Sequence, residues 1–292
     1  MKRILTVIAM TVTLVSCNDE AYESDSATSG NNPSDTPGGS TEEFLTIGEQ
    51  RFWIYDVQSN SQDLPDMDFM AQDSVYVASI SGASFTLSAN DDGIANGSMN
   101  GIITNGTLST TATTISVEAD LELPDTFSNL GLDNNLEISN MLLLDLEANN
   151  NDIMFVQEAN FSENLDIEGT QIPIQVNYEL TTKKVNFYDS VTLNGSEYNN
   201  VFEGILSLSL SVSGTFNLGL FTQNVAILEP QNILETNYFY AEQVGLVRAE
   251  STQGFNLSSQ LTALLQLVNI PLNLPTSVTV ENIEELVDYY VE

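Results

Sequence analysis

The chain has 292 residues, 41 of them Asp or Glu against 6 Lys or Arg, with no histidine and a single cysteine. A formal net charge of −35 with no basic cluster repels phosphate backbones, so nucleic acid is excluded as a partner. Without histidine, Ser-His-Asp and Cys-His nucleophiles and mixed His/Cys zinc sites are excluded too, leaving only carboxylate chemistry for any enzyme.

Residues 1–17 combine Lys2 and Arg3, an apolar run from Ile4 to Val15, and the ending Leu14-Val15-Ser16-Cys17. The run is short for a bilayer span, and the small residue before Cys17 marks a cleavage point, so the segment reads as a bacterial lipoprotein signal peptide with its lipobox. Cys17 is then the lipidation site, carrying acyl chains such as palmitate, and the expected partners are the membrane, through that lipid, and the lipoprotein processing and export machinery. The expected location is the cell envelope, as an outer-membrane lipoprotein with access to the cell surface. Residues 18–43 are Ser, Gly, Pro, Asn and acidic residues with almost no apolar side chain, which predicts a disordered tether.

Residues 44–292 predict one β-rich domain, because apolar and polar residues alternate with period two between turn signals. Strands are expected at 51–57, 74–80, 84–89, 94–103, 107–121, 141–148, 153–159, 172–180, 185–193, 198–216, 238–248 and 283–291. Between them stand Asp91-Asp92-Gly93, Asn105-Gly106, Asn149-Asn150-Asn151-Asp152 and Asn194-Gly195, which predict tight turns and hence an antiparallel meander. From Leu206 to Ser213, Leu or Val alternates strictly with Ser, which predicts one dry face and one wet, uncharged face. One short amphipathic helix is expected over 258–269, with Leu261, Leu264, Leu265 and Val268 at helical spacing and a serine cap; a second helix or a loop is expected over 126–136. The fold class is therefore mainly β, a curved antiparallel sheet or half-barrel with one short amphipathic helix, with two stacked sheets as the alternative.

Four segments carry a resemblance. Ile47-Gly48-Glu49-Gln50-Arg51-Phe52-Trp53-Ile54-Tyr55-Asp56-Val57 resembles the opening strand of secreted lipoproteins of the Bacteroidetes type. Val191 to Val201 resembles their strand-turn-strand piece, and Tyr238-Phe239-Tyr240-Ala241-Glu242-Gln243-Val244-Gly245-Leu246-Val247-Arg248 resembles a later strand, with Gln243 where a glycine is usual and Arg248 where lysine is usual. Asn18-Asp19-Glu20 resembles the export signal of the surface members. The resemblance implies a lipoprotein-carrier-like half-barrel of unassigned function and supplies no catalytic residues.

The candidate sites follow from residue chemistry. Trp53 and Tyr55, with Leu261 and Leu265 on the helix, are candidates to line a pocket for an apolar or glycan ligand on the concave face. Asp63, Asp66, Asp68 and Asp73 could offer oxygen ligands, with calcium the one candidate cation and no other cofactor expected; a solvated acidic loop accounts for the same residues. Glu118, Asp120 and Glu179 are carboxylates without a distinguishing context. The expected function is a lipid-anchored, non-catalytic binding module, with a structural or adhesive surface protein as the alternative and a carboxylate-based hydrolase ranked last. The carboxylate excess further predicts a fold that salt or calcium stabilises by screening.

Overall fold

The computed structural model describes residues 40–45, 47–48, 50–61, 63–121, 123, 136–167, 170–217, 222–267 and 275–291. The signal peptide, Cys17, the tether up to residue 39 and all but Leu136 of the expected helix or loop at 126–136 lie outside them. Residues 35–292 form one compact unit. A single helical turn, α1 (Thr41–Phe44), leads into β1 (Phe52–Ser61), β2 (Phe69–Ser81), β3 (Ser84–Ala89), α2 (Ser98–Thr104), β4 (Gly106–Thr110), β5 (Thr114–Leu121) and β6 (Leu136–Asp145). The second half comprises β7 (Ile153–Ile167), β8 (Thr170–Leu193), β9 (Ser196–Asn217), β10 (Thr222–Ala241), β11 (Gly245–Asn256), α3 (Ser259–Leu267) and β12 (Ser277–Tyr290).

All twelve strands belong to one antiparallel sheet in the order β6-β5-β4-β3-β2-β1-β12-β11-β10-β9-β8-β7. Every strand pairs with its successor except β6 with β7, and β12 pairs with β1 from Phe52 opposite Tyr290 to Ser61 opposite Val280. The expected meander is thus present, but its two ends are zipped together and its opening lies mid-chain. The sheet curls into a nearly closed barrel. Leu206, Leu208, Leu210 and Val212 point into the core and the intervening serines point outward, the reverse of the lipid-facing apolar band of a membrane-spanning barrel.

Several local expectations are corrected. Residues 94–103 do not form a strand; their second half is α2, and Asn105-Gly106 ends that helix instead of turning a hairpin, with Asn105 as its C-terminal cap. The span 107–121 is broken by a turn at Thr111–Thr114 into β4 and β5, and the separate strands expected at 172–180 and 185–193 are one continuous β8. Residues 238–248 are two strands joined at Glu242–Val244, and residues 222–237, expected in no element, belong to β10. The turn forms without the usual glycine because Gln243 takes the left-handed conformation, φ 63°, at a cost of about 1 kcal/mol. At Asn194-Gly195, by contrast, both residues have positive φ (46° and 78°) and the expected tight hairpin joins β8 to β9.

Side chains close the seam that backbone pairing leaves open. Gln157 on β7 donates to the Glu137 carbonyl of β6 (2.8 Å), Thr182 on β8 to that of Leu142 (2.6 Å), and Tyr238 on β10 to that of Leu143 (2.7 Å). Lys184, buried between the rings of Phe187 and Phe202, donates to the Ala148 carbonyl (2.7 Å) in the turn beyond β6. Gly204 makes room for the Tyr238 ring, since any Cβ there would collide with it.

Tyr238→Phe removes a buried donor and strands the Leu143 carbonyl, so it should cost about 1–3 kcal/mol and lower the melting temperature by several degrees. Calorimetry of the purified domain checks this; an unchanged transition would show that the seam does not depend on that bond.

Candidate functional site

The interior is occupied by the protein's own groups, and α2 is its centrepiece. A seven-residue helix is too short to persist alone, and α2 has no side-chain cap. Its free amides are instead taken by inward-facing residues of β2 and β12. Gly97 N–H donates to Asp73 Oδ2 (2.9 Å), Ser98 N–H to Asn282 Oδ1 (3.1 Å), Met99 N–H to Glu284 Oε1 (2.6 Å) and Asn100 N–H to Glu284 Oε2 (2.9 Å). Asp73 also accepts from the Asn96 backbone (2.8 Å) and from the side-chain amides of Asn90 (3.0 Å), Asn96 (2.7 Å) and Asn100 (3.3 Å). Gly97 permits the close approach, because a Cβ there would strike the Glu284 carboxyl.

The two acids therefore shift in opposite directions. Burial works against the charge on Asp73, but the amides of Asn96, Gly97 and Asn90 outweigh it and hold this carboxyl below its ordinary range. Burial pushes Glu284 up to about 8; the Asn100 and Met99 amides oppose that rise, and the nearby Asp73 charge adds to it. Both side chains are fully enclosed and facing backbone amides, so this pair fastens a helix and offers no cleft for a substrate.

Trp53 and Tyr55 face the core. Trp53 Nε1 donates to the Val244 carbonyl (2.6 Å) and Tyr55 Oη to that of Leu246 (2.8 Å), so the first and last segments that carry the lipoprotein resemblance meet in space. Leu261 and Leu265 are buried with Leu264 beneath α3, which packs against β10 and is capped by Ser258 Oγ accepting from Leu261 N–H (3.1 Å). The four residues proposed to line one pocket are thus divided between β1 and α3, and each is buried.

The four aspartates are not brought together either. Asp63 accepts from Thr279 N–H (3.1 Å), Asp68 from Ser61 N–H (2.6 Å), Asp66 sits on the exposed turn Pro65–Met67, and Asp73 is committed to α2. Among the described residues no three carboxylates converge as a metal cage. Glu118, Asp120 and Glu179 are all exposed.

The accessible chemistry lies on the other face of β1. Because Trp53, Tyr55 and Val57 point inward, Phe52, Ile54, Asp56 and Gln58 point outward. Phe52 stands opposite both Tyr290 on β12 and Tyr76 on β2, forming an aromatic row across three strands. The Phe52 and Tyr290 rings are 6.2 Å apart and within 20° of parallel, and Tyr76 and Tyr290 keep 38% and 43% of their surface exposed. Further along the same face Gln72 donates to Asp56 (3.0 Å), and Arg248 on β11 is held by Glu285 and Glu250, each at 2.6 Å. Asp56 and Glu285 also line a hollow of about 390 Å³ together with Gln58, Met70, Ala71 and Ile283, with Met70 81% exposed. A second hollow of about 430 Å³ opens beside α2, where Ser98, Asn105, Asp120 and Gln253 meet Ile94 and Leu234; there Ser98 is already bonded to Gln253, and Asn105 to the Asp120 carbonyl.

No family model, curated protein or solved structure matches the chain.

The state of Glu284 fixes a direction for pH dependence. Its folded pKa is raised from an ordinary 4.5 to about 8, so its stabilising contribution is complete below the ordinary value and is lost as pH rises through 8. Asp73, held low, contributes stability that is lost only in stronger acid. The melting temperature should therefore fall from about pH 5 to about pH 8, with a slope from Glu284 of at most about 1.4 kcal/mol per unit between the two values, and level off above that. The Met99 and Asn100 amide resonances should titrate near pH 8. Resonances that titrate only in the ordinary carboxylate range, with a flat melting profile, would contradict this assignment.

Proposed function

We propose that the mature protein is a lipid-anchored, non-catalytic binding module of the bacterial cell envelope that engages its ligand through the outer face of β2, β1 and β12. The observation that supports this most strongly is the filled interior. Met99, Leu108, Leu143, Leu206 and Tyr238 are all buried to within 1% of their surface inside the sheet, where a carrier would hold a ligand cavity. The exposed apolar and aromatic groups on the outer face are the complement of that filling. Cys17 supplies the membrane attachment in this reading, and residues 18–39 supply reach, roughly 75 Å at full extension; the expected tether ends short of residue 43 because α1 docks on the domain, with Thr41 and Phe44 buried. Calcium enters as a screening counterion for the carboxylate surface instead of at a built site.

The filled core also favours a second reading, a structural or adhesive surface protein that binds no small molecule. Both readings place the working surface outside the barrel, and they separate on whether a soluble oligomeric ligand is bound by the purified domain.

Two measurements test the proposal. Cys17→Ala should leave the precursor unprocessed or release the protein from the membrane fraction; normal processing and full membrane retention of that variant would refute the anchor. Native mass spectrometry of protein isolated from its own host should give the mass of the chain with its N-terminal lipid and no additional bound lipid; a stoichiometric second lipid would place the ligand inside and overturn the outer-face reading.

A further inference from the structure

We infer that the outer face of β2, β1 and β12 is built for an uncharged, extended glycan chain, an inference that rests on the outer-face reading above. Four features of that face select the ligand class.

The first is the aromatic row Tyr76-Phe52-Tyr290. It crosses three adjacent strands, so its rings are spread over about 10 Å, enough to meet the apolar C–H faces of neighbouring sugar rings in an extended chain. The second is what adjoins it. Asp56 bonded to Gln72, with Asp288 and Ser74 flanking Ile54 on the intervening positions, presents hydroxyl-matching acceptors and donors about two to four residues along the strands. Together with the hollow beside Met70 and Ile283, the face runs roughly 20 Å along the strand direction.

The third feature is charge. Among the described residues the strands β2, β1 and β12 carry no basic side chain, and Arg248 on the neighbouring β11 is already paired with both Glu250 and Glu285. Arg51, next to Phe52, has two buried guanidinium nitrogens without a partner, but by alternation with Trp53 it falls on the inward side of β1. On the outer face no free cation is left to compensate a carboxylate, sulfate or phosphate on a ligand, so uronate-containing or sulfated chains and anionic lipid headgroups are disfavoured. A bilayer or purely apolar partner is disfavoured as well, because it would bury Asp56, Asp288 and Glu285. The fourth is backbone pairing. β1, β2 and β12 each have a strand on both sides, so an incoming peptide finds no free edge to add to and only side chains are offered.

The test uses the signal-less domain and three hexasaccharide probes titrated calorimetrically: neutral β-1,4-linked glucose, cationic β-1,4-linked glucosamine and anionic α-1,4-linked galacturonate. The neutral probe should bind, with an affinity that changes less than about twofold when sodium chloride is raised to about 0.5 M, because no ion pair is made. Tyr76→Ala and Tyr290→Ala, both exposed and expected to melt as the parent does, should each weaken binding about tenfold, and Leu267→Ala, an exposed residue of α3, should not. Failure of the neutral probe to bind overturns the inference. So does salt-sensitive binding of the glucosamine probe alone, although its loss in Tyr76→Ala and Tyr290→Ala would leave the outer-face reading standing. Neutral-probe binding that survives both tyrosine substitutions would overturn the outer-face reading along with this one.

Discussion

The amides that open α2 have to find acceptors inside the barrel, and Asp73, Asn282 and Glu284 supply them. An unpaired buried N–H costs about as much as a lost hydrogen bond, and α2 presents several at once in a place water does not reach. By answering each with a side chain from β2 or β12, the chain fixes a helix across the inner face of the sheet and inserts Met99, Ile102 and Ile103 into the core. A sheet of twelve strands encloses more space than strand side chains fill easily, and the helix takes up the difference. Burial and the Asp73 charge raise the pKa of Glu284 in this role, while the two amides it accepts from oppose the rise.

Closure depends on two unlike devices. Where the first and last strands meet, β1 and β12 form a ladder with one bulge, opposite Ile54 and Tyr55. At the opposite seam, where β6 and β7 are not paired, Gln157, Thr182, Lys184 and Tyr238 reach to backbone carbonyls and satisfy part of an edge that would otherwise be open. With most inward side chains packed and the seam fastened, the described residues open to a partner are the outward ones and those around the hollow beside α2, and the row through Tyr76, Phe52 and Tyr290 is where outward aromatic groups stand side by side.

Much of the sheet was legible in the sequence because strand alternation and turn chemistry are local. The Leu/Ser alternation of β9, the Asn194-Gly195 hairpin and the Ser258-capped α3 all follow from residues within a few positions of one another. α2 was not legible, since it is held by partners up to 185 positions away in the chain and its own sequence, Ser98 to Thr104, has neither a cap nor a charged first turn. The break at Gln243 was hidden for a related reason: a left-handed glutamine carries no local signal of a turn. Trp53 and Tyr55, the candidates read from the sequence, lie on β1, but period two sends them inward and sends Phe52, Ile54 and Asp56 outward. The partners Tyr76 and Tyr290 become neighbours only through the pairing register. Once the inward residues of β1 are recognised by their large aromatic size, the outward set follows by alternation alone.

The central claim is that the first turn of α2 is fastened against the inner face of the sheet by Asp73 and Glu284, so that the space beneath it is closed to a ligand. Hydrogen exchange of the isotopically labelled domain, followed by NMR at mildly acidic pH, tests it most directly. The amides of Met99 and Asn100 should exchange as slowly as those of the β1–β12 ladder, through global unfolding only. Exchange of these two amides at the rate of an exposed loop, while the ladder stays protected, would mean that α2 opens in the native state and that the interior is available after all.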